Sequence, residues 1–367
     1  MFRFVRYLLA PALLIIAVAG LLHATNRPAT VPAVLAAFED SDRPLVVAHR
    51  GGMGLWPENS LFAFRRASEI GADMIEMDVR LSRDGELVVI HDETLDRTTN
   101  GSGPVAAHDL ATLRQLDAGY RWSPDGGLSH PYRGQGIGIP TFAEVLAHLP
   151  AVPKAVEIKV ADAGIEDRLC ELIMQSGQRD RIVVGSFHDH SLQAFRERCP
   201  GVATSAGASA VRLLVMLERI GLAGLLSPTY QLLQIPARHG GTQLATPEFL
   251  RTAESLGLHT QFWTINEQPR MRRLIEMGAK GLITDYPDRA LQLLDGSRHS
   301  AQTPEDDARP TEVGDKAISH LTTPLSGSPA ATDRFLSERP QRPPRLACSR
   351  SPQAYPQRRA HPLGITR

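Results

Sequence analysis

Residues 71–92 read GADMIEMDVRLSRDGELVVIHD, and the first part of that run decides how the rest of the chain is read. Asp73 to Val79 has the length and composition of a strand. Side chains along a strand alternate between its two faces, so Ile75, Met77 and Val79 point one way and Glu76 and Asp78 the other. An apolar face of this kind packs under helices, which leaves two carboxylates on the opposite face near the strand's C-terminal end. In a closed parallel barrel that face points inward, toward the rim where catalytic groups gather. Two like charges in a poorly solvated interior need a cation or a shared proton, and a metal is the simpler answer.

Working outward, short apolar runs alternate with helix-like segments from residue 44 to 295. The strand candidates are 45–48, 74–79, 87–91, 155–160, 182–186, 202–205, a weak one within 223–235, 261–265 and 281–284. Helices are predicted at 60–70, 142–149, 166–176, 191–197, 247–256 and 270–277. This alternation gives the fold class: an α/β, irregular (β/α)8 TIM barrel. The list holds one strand more than a barrel needs. The connection RLSRDGE is too short for a helix, and the Gly- and Pro-rich stretch at about 98–140 is a small insertion after the third strand. Ser60 stands where an N-cap belongs and Gly71 where a C′ glycine ends the same helix.

The second carboxylate strand is Ala155 to Val160, which sets Glu157 and Lys159 on one face. Three carboxylates from two strands offer oxygen donors only, a set suited to Mg²⁺ or Ca²⁺. Lys159 beside a metal requires an anion in front of it; the alternative is an ordinary ion pair with Glu157. Two strands end in histidine, at His49 and His91, and a pair of imidazoles on the same rim can act as acid and base. Arg50 offers a planar fork for phosphate or carboxylate, and Gly51 and Gly52 allow backbone to approach a ligand closely. Trp263 either lines the site or fills the barrel.

The flanks differ from the centre. Residues 1–24 combine Arg3 and Arg6 with an apolar run from Tyr7 to Leu22, the pattern of a signal peptide or an N-terminal membrane anchor. Either places the barrel outside the cytoplasm, at the cell envelope, with membrane contact through this segment. Residues 296–367 hold ten of the 27 prolines and 11 basic against 7 acidic side chains, which reads as a disordered Pro/Arg-rich tail. Residues 24–295 carry 27 basic against 33 acidic side chains, with no basic stripe for nucleic acid. Three cysteines without close spacing exclude a disulfide-rich scaffold and a cysteine-built zinc site.

The ordered succession AHRG (48–51), PENS (57–60), GADMIEMDVRLSRDGELVVIHD (71–92), LDRTTNGSG (95–103), IPTFAEVL (139–146), EIK (157–159), FWTIN (262–266) and GLITDYPD (281–288) resembles the glycerophosphodiester phosphodiesterase family. The resemblance implies that Glu76, Asp78 and Glu157 bind a divalent metal and that His49 and His91 perform acid and base catalysis. It further implies that Arg50 and Lys159 hold the phosphate and that Glu58 shapes the site. Ser60 and Ile265 depart mildly from the family pattern. The implied reaction is hydrolysis of a glycerophosphodiester to glycerol 3-phosphate and an alcohol, begun by the substrate's own 2-hydroxyl. The alternatives are lysophospholipase D-like activity, favoured if the 98–140 insertion presents an apolar lip, and a barrel that binds phosphodiesters without cleaving them. Metal-dependent phosphoinositide cleavage shares the architecture by analogy alone.

Overall fold

The alternation along Met74–Leu81 is realised as read, and it separates two layers of core. Ile75, Met77 and Val79 face outward and pack with Phe64, Val145, Val156 and Ile158 between sheet and helices. Met74 faces inward among Leu45, Val47, Ala155 and Ile283, with Glu76 and Asp78 above it on the same face. The computed structural model describes residues 27–38, 41, 43–160 and 164–301. The 1–24 leader and the part of the 296–367 tail beyond residue 301 lie outside the described residues.

In chain order the barrel elements are β1 Leu45–Ala48, α1 Leu61–Glu69, β2 Met74–Leu81, α2 Phe142–His148, β3 Lys154–Ile158, α3 Ile165–Ser176, β4 Ile182–Gly185 and α4 Asp189–Arg198. The second half continues with β5 Ala203–Thr204, α5 Ala208–Arg219, β6 Leu232–Pro236, α6 Pro247–Ser255, β7 His259–Trp263, α7 Gln268–Glu276, β8 Gly281–Thr284 and α8 Pro287–Ala301. The parallel order is β5-β4-β3-β2-β1-β8-β7-β6, and a parallel bridge between Ser205 and Leu232 joins its two ends. The fold is therefore a (β/α)8 barrel. Ser60 caps α1 by accepting a hydrogen bond from the Ala63 amide, and Gly71 follows that helix at φ 90°.

The surplus strand is Leu87–Val89. It runs antiparallel to β2, with Val79 opposite Val89, and takes no place in the ring. The turn through Ser82, Asp84 and Gly85 is too short for a crossover, so the chain can only double back. His91 consequently reaches the rim from a return strand and not from the end of a barrel strand. The insertion that follows builds a satellite core of Val88, Leu95, Val105, Leu113 and Ile139 beside α1. Two of the barrel helices were not legible in the sequence. In α5, Leu213 and Met216 are exposed, which blurs its apolar periodicity; α8 continues past residue 295.

Two further features lie outside the sequence reading. Val34 and Leu35 are buried among Leu45, Val47, Met74, Ala155 and Leu232 at the N-terminal ends of the strands. They close the barrel floor, so the core begins before residue 44, and cutting Leu35 back to Ala costs about 2–5 kcal/mol. Cys170 of α3 and Cys199 after α4 form a disulfide with Cα atoms 5.5 Å apart. Their separation of 29 residues corresponds to about 3–4 kcal/mol of loop-closure entropy removed from the unfolded chain.

Candidate active site

All nine residues singled out for the site except Glu58 and Asp78 line one cavity of about 420 Å³ at the C-terminal ends of the strands, and those two stand directly behind it. At the end of β1 the chain makes a tight turn in which Arg50 adopts φ 51°. This left-handed conformation aims the Arg50 amide at Glu76 Oε2, 2.8 Å away. Gly51 is required by packing: a Cβ there would come within 2.8 Å of Ala63 and Phe64 on α1. Asn59, also left-handed at φ 54°, grips Asp78 twice, donating from Nδ2 to Oδ2 at 2.8 Å and accepting from the Asp78 amide at 3.2 Å.

Glu76, Asp78 and Glu157 each bring a carboxylate oxygen to within 4.8 Å of the others. Burial together with the Asp78 charge pushes Glu76 up to about 7, and burial also raises Glu157. Asp78 goes the other way. Burial alone would raise it, but Lys159, Arg50 and Asn59 together hold it below the ordinary carboxylate range. Its buried Oδ1 accepts no hydrogen bond and meets the Lys159 ammonium at 3.1 Å as an ion pair. Three crowded carboxyl groups, one pushed toward protonation and one with an unbonded oxygen, fit a hard divalent cation.

Lys159 bridges this cluster, 2.7 Å from Glu157 Oε1 and 3.1 Å from Asp78 Oδ1. The ordinary ion pair considered for Glu157 and Lys159 is thus present, within the same cluster. Arg50 is likewise turned to carboxylates, with Nη1 2.9 Å from Glu58 and Nε 3.4 Å from Asp78.

Both histidines are held by a carboxylate at Nδ1. Asp285, just after β8, takes His49 at 2.6 Å and is itself held by Asn266 at 2.7 Å; Asp92 takes His91 at 2.7 Å. With Nδ1 engaged, each ring keeps Nε2 for chemistry, and His49 Nε2 lies 4.0 Å from Glu76. The two environments differ. Burial depresses His49, but Asp285 and Glu76 outweigh it and raise its pKa, whereas burial prevails over Asp92 and lowers that of His91.

Trp263 does both things considered for it: it lines the cavity and packs on the interior core. None of residues 98–140 is among the described residues that line this cavity, so the insertion supplies no apolar lip. Asp285, Asn266, Asn59, Asp92 and Arg97 were missed as site residues. All five lie inside the quoted TDYPD, WTIN, PENS, LDRTT and VVIHD stretches, so position was available but role was not.

Arg97 has the largest part among these. It donates to both oxygens of Glu58, at 2.7 and 2.8 Å, and to both oxygens of Asp92, at 2.6 and 3.0 Å. One guanidinium therefore fixes the carboxylate behind His91 and the one behind Arg50. Burial would raise Glu58, but Arg97 and Arg50 hold it below its ordinary range. Arg97→Ala is expected to lower kcat about 10- to 100-fold, as loss of an outer partner does at comparable sites, with Arg97→Lys recovering part of it. The Tm should stay put because Arg97 is 44% exposed; an unfolding midpoint that falls in step with kcat would make its role structural.

The model of the glycerophosphoryl diester phosphodiesterase family matches residues 49–289, which takes in every residue of this site. The chain belongs to that family. A glycerophosphodiester phosphodiesterase of Caldanaerobacter subterraneus subsp. tengcongensis is 34% identical over 262 residues, covering 69% of this chain and 98% of that protein. One of Bacillus subtilis is 31% identical over 262 residues, covering 67% and 85%. The crystal structure of a glycerophosphodiester phosphodiesterase from Agrobacterium tumefaciens superposes with a TM-score of 0.55 at 27% identity, covering 68% of this chain and 99% of that one. As a member of this family of phosphodiesterases the chain is a phosphoric diester hydrolase.

Proposed function

We propose that the protein hydrolyses glycerophosphodiesters to glycerol 3-phosphate and an alcohol, with a divalent cation and two histidines. The observation that carries this reading is the convergence of three carboxylates and two carboxylate-held imidazoles on one rim. A barrel that merely bound phosphodiesters would have no use for two positioned proton-transfer groups.

Glu76, Asp78 and Glu157 are the residues that would hold Mg²⁺ or Ca²⁺. A cation there would neutralise phosphoryl oxygens and polarise an attacking hydroxyl. Lys159 then becomes available to a substrate phosphate, because the charge it now balances is balanced otherwise; Arg50, fixed by Glu58, is the second phosphate ligand. His91, whose lowered pKa leaves it neutral near pH 7, accepts the proton of the attacking hydroxyl. His49, with its raised pKa, donates one to the leaving alcohol oxygen. The reading is tested by turnover of glycerophosphocholine with release of glycerol 3-phosphate in the presence of Mg²⁺ or Ca²⁺. Absence of product with either ion overturns it.

We further propose that the protein works at the cell envelope, outside the cytoplasm. The leader at 1–24 supports this, and so does the Cys170–Cys199 bridge, since such bridges persist in oxidising compartments. In the protein recovered from cells with thiols blocked at lysis, Cys170 and Cys199 should react with a thiol reagent only after reduction. Free thiols at both positions, with the protein in the cytosolic fraction, would overturn the assignment.

A further inference from the structure

The outer face of α5 is not that of a solvated helix. In α7 the exposed side chains include Arg270, Arg272, Arg273 and Glu276, all charged. In α5 they include Leu213 and Met216, 43% and 54% exposed, and Ile220 at the helix end is 61% exposed. At roughly 100° per residue these three fall within about 60° of one another, so they form one stripe. Arg212 and Arg219, both exposed, run along an edge of it. Their side chains donate to Ser209 Oγ and Thr242 Oγ1, and not to carboxylates. Glu218, the one acid of the helix, lies roughly 200° around the axis from Met216. The hairpin of Arg238–His239 and Thr242–Gln243, which Arg219 touches, adds the exposed Arg238 to the same side.

An apolar stripe edged by guanidinium groups that no acid neutralises fits an interface between water and anionic lipid. The chain also enters from this side. The Ala29 amide donates to the Leu256 carbonyl at 2.8 Å, just after α6, and α6 packs against α5. The backbone from residue 24 to residue 29 spans at most roughly 18 Å, so the apolar segment before it is tethered close to this part of the barrel. Ala208, Val211 and Arg212 of the same helix line the cavity, which places its mouth beside the stripe.

We propose that the outer face of α5 docks on an anionic lipid surface. Leu213, Met216 and Ile220 enter the boundary between head groups and acyl chains, while Arg212, Arg219 and Arg238 meet lipid phosphates. The docked barrel then opens its cavity beside the bilayer. The proposal rests on the envelope assignment above for the presence of a membrane and makes no use of the hydrolysis reading. Cell fractionation decides that assignment, and labelling decides the face.

Full-length protein is prepared with Met216→Cys, with Ile220→Cys and, as a control, with Ile70→Cys after α1, which the ring order sets across the barrel from α5. All three positions are exposed, so folding is not at risk. Each variant is treated with a water-soluble maleimide, and labelling is read by peptide mass spectrometry, which separates the new position from Cys348. With vesicles of phosphatidylcholine and phosphatidylglycerol, labelling at positions 216 and 220 should slow about tenfold or more and at position 70 stay within about twofold. Arg219→Gln added to Met216→Cys should speed labelling again by about fivefold. No slowing at 216 and 220 overturns the proposal, and equal slowing at 70 does so too, because no face is then preferred. Slowing as large on phosphatidylcholine alone overturns the anionic surface. Slowing without vesicles that grows with protein concentration means that a second copy covers α5, and it overturns the lipid assignment.

Discussion

In excess chelator, turnover of glycerophosphocholine is expected to fall by about 10³-fold or more, and added Mg²⁺ or Ca²⁺ to restore it. The reason lies in the charge at the rim. Glu76, Asp78 and Glu157 crowd their oxygens within 4.8 Å, and the Lys159 ammonium that balances them is the group proposed above to hold the phosphate. Glu76→Gln should reproduce the effect of chelation without a chelator. Binding is also visible apart from activity: an ion that binds the folded protein alone raises the Tm, by an amount equivalent to about 2.7 kcal/mol at 100 times its Kd. Glu76→Gln should lose that rise. The sign of the pH dependence follows from the same carboxyl group. Glu76 is pushed up to about 7, so below that pH a proton competes for the site and metal affinity should fall as pH drops. Full turnover with the ion removed would falsify the carboxylate–metal assignment.

The second large effect belongs to the histidines. His49→Ala and His91→Ala are each expected to lower kcat by about 10²-fold or more, and the double variant by less than the product, since groups acting in one step are not additive. The pH profile separates them. In the proposed scheme His91 is the base and its pKa is lowered, so activity should decline on the acid side as it becomes protonated. In the same scheme His49 is the acid and its pKa is raised, so activity should decline on the alkaline side as it loses its proton. His91→Ala should remove the acid limb and His49→Ala the alkaline one. A single variant that keeps wild-type kcat and both limbs returns that histidine to a structural role.

How far the sequence reaches is set by the range of the interaction. The placement of Glu76 and Asp78 was legible because strand alternation is a local rule, and Ile75 and Met77 on the other face confirm it within the same few residues. Glu157 followed by the same rule. His49 and His91 were legible as strand ends, yet the strand carrying His91 was misplaced. Whether seven residues turn back or cross over is a matter of reach, and Leu87–Val89 has the composition of a barrel strand. The groups that orient the site were not legible as such. Asp285 lies 236 residues from His49 and Arg97 lies 39 from Glu58, and no local pattern announces partners at those distances. The Cys170–Cys199 bridge was hidden for the same reason.

The floor of the barrel carries a consequence for the order of events in folding. Leu35 rests against residues that run from Leu45 to Ile283. The pocket receiving it does not exist until β8 has paired with β1, where Leu45 and Gly281 are in register. During synthesis at roughly 5–20 residues per second, the roughly 250 residues from Leu35 to Ile283 take on the order of 10–50 s to appear. For that whole interval the pocket over Val34 and Leu35 is incomplete, since Leu45, Val47 and Met74 are made early but Leu232 and Ile283 come last. The first apolar pair of the domain to be made is the last to be seated, and until then it is the natural handhold for a chaperone or an export factor.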